Sequence, residues 1–391
     1  MSSVITLAEI GDSELLDRAR TIAANLKARA AQADGERRIP EDTITELKAA
    51  QLLRLFQPRR FGGREADPRL FLDVQSRLAQ QCVSSAWVFG VLSVQSFMLS
   101  LFDLRAQEDV WGSDASALAS SSFQPMGKAQ RVADGFRLSG QWPYSSGCLH
   151  AQWAVVGALV PPAAAGAPPE MRLFLVPRSD YEIVDTWNTF GLRGTGSNDL
   201  RLDDVFVPEY RTLKPEQGMV PGSTQSPHAD SGLYRMPWLY VFTCSVAAIG
   251  IGAARGALKV FLESVQTRMT TPTGNIKAGL LETAAQVQYE IDEIEATLHR
   301  NTGRLMDCAR SGEPMQLAEA LQCRLHLTSI VRRCTELVEN MMPHLGAKSV
   351  FVDHPYTRFW LDLCAARAHP GNDPASVKAD LGKLLIENAV R

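Results

Sequence analysis

The spacing of apolar residues changes period twice along this 391-residue chain, and that change limits its folds more than any single motif does. Up to about residue 115 the pattern is helical. Between Glu14 and Ala33, Leu15, Leu16, Ala19, Ile22, Ala23 and Leu26 recur at steps of three and four, the stripe of an amphipathic helix. Pro40 followed by EDTITELKAAQLLRLF marks a second helix start, with proline and acids in the first turn. RRFGGREADP is a Gly-rich loop, and one largely apolar helix is expected from Leu70 to Leu101.

From about 116 to 225 the signals are those of strands. KAQRVADGFRLSGQW has the form strand, Asp-Gly turn, strand; QWAVVGALV and RLFLVPR are β-type runs; LRLDDVFVP alternates up to a proline. From about Tyr234 the chain is helical again, and its amphipathic stretches of more than twenty residues imply a bundle. The expectation is a mainly α protein with a central, mainly antiparallel β-domain, divided as 1–115, 116–225 and 226–391.

Composition narrows the function classes. The net charge of −3 and the lack of a basic run give nucleic acid or an anionic membrane no electrostatic footing. The first twenty residues carry acids and no basic n-region, and no apolar run reaches the roughly 18 residues of a membrane span. Seven widely spaced cysteines without a CxxC pair argue against a metal site or a disulfide framework and suit a cytoplasmic protein.

Two motifs invite over-reading. GIGAARG, Gly250 to Gly256, lacks the GxGxxG spacing and a preceding strand, so it reads as a small-residue surface for close helix packing; no conventional NAD(P)H site follows from it. The stretch GQWPYSSGCLHAQW places Ser145, Ser146 and His150 close together, yet without the GxSxG elbow of a serine hydrolase. Serine and glycine also suit a plain turn there.

IPEDTITELKAAQLLRLFQPRRFGG, SSSFQPMGKA, GFRLSGQWPYSSG, TFGLRGTGSNDLRLDDVFVP, YRMPW and RFWLDLCAARAHPGNDP, in this order over nearly the whole chain, resemble the acyl-CoA dehydrogenase fold superfamily. Within it, the chain resembles the oxygenase components of two-component (group D) flavin-dependent monooxygenases, a family that includes p-hydroxyphenylacetate and 3-hydroxy-seco-steroid hydroxylases. The resemblance implies an N-terminal helical domain, a middle β-barrel and a C-terminal four-helix bundle. It implies hydroxylation of a small phenolic substrate through a C4a-hydroperoxyflavin, with FADH2 or FMNH2 from a separate NAD(P)H:flavin reductase, and O2.

The same resemblance assigns residues. Ser146 matches the serine that accepts the flavin N5 hydrogen, and His369 the active-site histidine, expected as a base toward the phenol. Ser121, Ser122, Ser145, Thr195 and Ser197 are expected on the flavin, with Trp142 stacked on its ring and Arg268 on its phosphate across a subunit boundary. Gln95, His369 and Asn372 are expected at the substrate. Gln95 stands where steroid-phenol hydroxylases carry a histidine, and an amide does not titrate. The small-residue and apolar faces of the C-terminal helices suit a homotetramer. Two other readings stay open: an acyl-CoA dehydrogenase-like enzyme with tightly held FAD, disfavoured because Pro370 aligns with the dehydrogenase base, and a catalytically silent scaffold.

Overall fold

The computed structural model describes residues 7, 10–162, 168–215, 226–228, 230–269 and 278–389, with the side chains of 268, 269, 278 and 348 excepted. Helices come first. α1 (Asp12–Glu36) buries Leu15, Ala19, Ile22 and Leu26 and ends on Arg37 in the left-handed region. α2 (Glu41–Ala49) starts after Pro40 but stops well short of the apolar run that follows, because Gln51 turns left-handed and opens a 3-10 turn. The single helix expected over Leu70–Leu101 is two: α3 (Pro68–Ala79) and the wholly buried α4 (Val83–Leu99). Gln80 and Gln81 interrupt the apolar run, and Cys82 is extended. α5 (Leu104–Trp111) leads into the sheet.

Seven strands form that sheet: β1 (Ala119–Val132), β2 (Gly135–Ser145), β3 (Trp153–Val160), β4 (Glu170–Pro177), β5 (Glu182–Val184), β6 (Asn198–Pro208) and β7 (Thr212–Leu213). Their order is β5-β6-β2-β1-β3-β4-β7. All pairs are antiparallel except β1 with β3. The β1–β2 hairpin turns at Ala133 and Asp134, with Asp134 at φ 60°.

The sheet faces two cores. Phe136, Leu138, Trp142, Val156, Phe174 and Leu200 fill a core of its own, while Val155, Leu173 and Leu175 point the other way into the helical core. Because β3 and β4 are buried on both faces, their sequence is a continuous apolar run rather than an alternation.

The C-terminal helices are α6 (Trp238–Met269), α7 (Ala278–Ser311), α8 (Leu317–Met341), α9 (Pro355–Ala366) and α10 (Ala375–Ala389). α6 is the hub, packing on α3, α4, α7, α8 and α9. It is long and apolar enough to cross a membrane, contrary to the reading from residue runs alone, but 89% of its apolar window is buried inside the protein. GIGAARG lies in α6 as packing surface: a Cβ on Gly252 would lie 2.3 Å from the Ser76 carbonyl oxygen of α3, and one on Gly256 would lie 2.5 Å from the Phe359 ring of α9. The expected boundary near residue 225 falls outside the described residues.

Candidate active site

Where α4, the sheet and the C-terminal helices meet, a cavity of about 550 Å³ opens, a size suited to a small organic ligand. Irregularities in two strands shape it. On β1, the register with β3 shifts between Ser122 and Gly127, so Phe123 and Gln124 leave the ladder and join Ser121 and Ser122 on the wall. On β2, the register with β6 shifts between Trp142 and Ser145, with Tyr144 at φ 66°. Such bulges re-aim side chains beside functional sites. Here Tyr144 turns its ring into the open, beside Trp187 at 6.3 Å between centroids. Gly147 follows at φ 72°, a conformation that favours glycine.

Four hydroxyl and indole groups form one wall. Trp87 Nε1 of α4 donates to Ser146 Oγ at 3.1 Å. Ser146 Oγ and Ser197 Oγ are 2.7 Å apart, as are Ser197 Oγ and Thr195 Oγ1. Thr195 Oγ1 donates to the Leu192 carbonyl at 2.8 Å. The loop bearing Leu192, Thr195 and Ser197 is fastened at both ends. Arg37 pairs with Asp185 and donates to the Trp187 carbonyl. Asp362 of α9 accepts the Leu192 N–H at 2.6 Å. Gly191 lets the loop reach α9, since a Cβ there would lie 2.1 Å from the Leu361 carbonyl oxygen. Burial pushes the Asp362 carboxyl up to about 7.

His369 closes the opposite side. Its ring lies 5.6 Å from Trp87 and 5.8 Å from Phe242 between centroids, and burial pushes it down to about 4. Nδ1 accepts the Gly371 N–H at 3.0 Å. A neutral ring with an acceptor at Nδ1 carries its hydrogen on Nε2. The arrangement therefore provides a hydrogen-bond donor, where the sequence pointed to a base.

Of the residues singled out from sequence, Ser121, Ser122, Ser146, Thr195, Ser197 and His369 line the cavity. Three stand behind it. Gln95 Nε2 donates to Ser121 Oγ, Ser145 Oγ bonds Ser120 Oγ, and Asn372 Nδ2 donates to the Val246 and Ala366 carbonyls. Trp142 is not at the cavity: it is fully buried in the sheet's own core, with Nε1 on the Gly157 carbonyl. Arg268 lies on α6, its side chain outside the described ones. His150 bonds Glu41 at 2.9 Å rather than a serine, which removes the hydrolase arrangement. The sequence passes over Tyr144, Trp87 and Trp187 as site residues, and it points to Asp362 as a helix-start or loop carboxylate, where the structure has it buried inside α9. Tyr144 sat inside a quoted motif, but the bulge that exposes it leaves no periodic trace.

The cavity fits a flavin on the chemistry of its walls: neutral hydroxyls at one edge, an accessible aromatic ring, and no Asp, Glu, Lys or Arg among its described lining residues. Residues 244–374 match the family model described as acyl-CoA dehydrogenase, C-terminal domain. The chain is 34% identical over 366 residues to the flavin-dependent monooxygenase oxygenase subunit HsaA of Rhodococcus jostii (strain RHA1), covering 92% of this chain and 94% of that protein. It superposes on the crystal structure of 3-HSA hydroxylase from Rhodococcus sp. RHA1 with a TM-score of 0.90 and 32% identity, over 96% of this chain and 97% of that one. It also superposes on XiaF from Streptomyces sp. in complex with FADH2 and glycerol, with a TM-score of 0.89 and 27% identity, over 96% of both chains.

Proposed function

We infer the activity from membership: this chain belongs to the oxygenase subunits of flavin-dependent monooxygenases. It is the oxygenase component of a two-component system, using reduced flavin and O2 to hydroxylate an aromatic substrate, with a separate reductase supplying the flavin. The observation that carries the reading at the site is Ser146 Oγ, held at an uncharged wall between aromatic rings. Acyl-CoA dehydrogenation would need a carboxylate base, and no Asp or Glu is among the described residues that border the cavity.

Reduced flavin, when bound, supplies the electrons that let O2 deliver one oxygen atom to the substrate ring. The residues then divide the work. Ser146 accepts the flavin N5 hydrogen, and the Tyr144 ring offers a face to the isoalloxazine. Ser122 donates its hydrogen to the Pro143 carbonyl, so it faces the ligand as an acceptor. Ser121 receives the Gln95 amide hydrogen and keeps its own to give. His369 donates from Nε2 to the phenolic oxygen, which favours the ionised, more nucleophilic phenol. Aromatic walls from Trp87, Phe123, Trp187 and Phe242 keep water out, and desolvation strengthens each of these bonds.

Three coarser features complete the proposal. The sheet is read as a barrel domain over 116–225, between a helical domain over 1–115 and a four-helix bundle over 226–391; the core enclosed by the sheet supports this. The chain is read as a homotetramer, supported by the exposed Leu281, Tyr289, Leu317, Phe351 and Ile386 on its C-terminal part. A cytoplasmic location is supported by its seven unpaired cysteines.

Anaerobic titration with FADH2, FMNH2 and their oxidised forms, followed by O2 and a panel of phenols, tests the function. Tighter binding of a reduced flavin and a hydroxylated product are expected. Oxidised flavin that stays bound through purification and is bleached by acyl-CoA would overturn the reading.

A further inference from the structure

Each hydroxyl on the Ser146 wall owns one hydrogen, and the chain of short contacts there, followed from its carbonyl end, assigns where each one goes. The Leu192 carbonyl, which also accepts the Trp187 Nε1–H at 2.9 Å and the Thr195 N–H at 3.1 Å, has no hydrogen to give, so its 2.8 Å contact with Thr195 Oγ1 uses the hydrogen of Thr195. The 2.7 Å contact between Thr195 and Ser197 must then use the hydrogen of Ser197. The 2.7 Å contact between Ser197 and Ser146 must in turn use that of Ser146. Trp87 Nε1 can only donate, and it does so into one lone pair of Ser146. Ser146 Oγ, its own hydrogen committed to Ser197, is left with one free lone pair at the cavity wall.

We infer that this one-way chain, anchored at the Leu192 carbonyl and running through Thr195 and Ser197, makes the protein select the oxidation state of its flavin. The inference rests on the flavin reading above. N5 of a reduced flavin carries a hydrogen and meets the free lone pair of Ser146. N5 of an oxidised flavin carries a lone pair, so acceptor faces acceptor. Thr195 and Ser197 are positioning residues here: they act by fixing the direction of the Ser146 hydroxyl.

Thr195→Val keeps the shape and removes the anchor. Ser197 then turns its hydrogen toward Ser146, and Ser146 presents its own to the cavity, matching oxidised flavin. The measurement is the ratio of dissociation constants for oxidised and reduced flavin, read by equilibrium titration, together with the midpoint potential of the bound flavin. The wild-type ratio is expected well above one. Thr195→Val should lower it about tenfold, a change set by one hydrogen bond of roughly 1.4 kcal/mol. The bound potential should fall by about 30 mV, the two-electron equivalent of tenfold. Thr195→Ser should restore the wild-type ratio. Ser197→Ala breaks the same chain one step nearer and should shift the ratio in the same direction, so the test survives if the valine variant fails to fold. An unchanged ratio in both breaking variants, with wild type still preferring reduced flavin, overturns the inference and leaves the flavin reading standing. Equal weakening of both forms overturns it too, as loss of mere structure. Failure of wild type to bind either form overturns the flavin reading and this inference with it.

Discussion

His369 separates two chemistries that a sequence cannot tell apart. As a base it needs a free lone pair at Nε2; with Nδ1 held by the Gly371 N–H it has a hydrogen there. His369→Asn keeps an amide donor and discards the base. If donation is its role, His369→Ala should slow product formation about 10- to 100-fold, the worth of a hydrogen bond to a charged oxygen, and His369→Asn should recover most of that. Single-turnover hydroxylation by pre-reduced enzyme measures both; an asparagine variant as slow as the alanine one would return the base role. The placement of Ser146 and His369 at the cavity was legible in sequence because their motifs survive as local strings. Trp142 and Tyr144 were not, because the choice between them depends on a bulge two residues long at most. Alternation along a strand points both to the same face, and the register shift after Trp142 decides which ring faces the cavity.

At the level of elements, the long periodic segments were readable and their interruptions were not. α1 appears as its stripe foretold, but the break between α3 and α4 rests on Gln80 and Gln81, which nothing in the helical period distinguishes from surface positions. The clamp between α9 and the Leu192 loop was equally hidden, since Asp362 and Leu192 lie 170 residues apart. That clamp has a pH signature. Burial raises the Asp362 carboxyl to about 7 in the fold, against about 3.9 in an unfolded chain. Between those values the native state holds a proton that the unfolded state has released, so this group's contribution to stability declines as pH rises from about 4 to about 7. Asp362→Asn keeps an acceptor for the Leu192 N–H and removes the titration. Its stability relative to wild type, from urea midpoints, should improve as pH rises from 5 to 8; a difference that does not vary with pH would refute the assignment.

Over the whole molecule, two histidines act in the opposite sense. Burial lowers both His369 and His326 to about 4; His326 also has Arg333 and Arg300 near it, partly offset by Glu293. An unfolded chain takes up these protons near pH 6.5, so stability contributed by the neutral rings is full above that value and is lost as pH falls from about 6.5 to about 4. Among the described residues, His326 has no hydrogen-bond partner on either ring nitrogen. His326→Leu should therefore stabilise the protein more at pH 5 than at pH 8 in thermal melts; equal shifts at both would exclude the titration as the cause. The cavity itself has a consequence for how the protein comes to exist. Its walls are drawn from α4, from the middle of the sheet and from residues 365–370, near the end of the chain. During synthesis on the ribosome the wall bearing Ser146 is made long before His369 emerges. A nascent chain that stops short of residues 365–370 thus lacks one wall of the cavity, and has no closed chamber in which to hold a flavin.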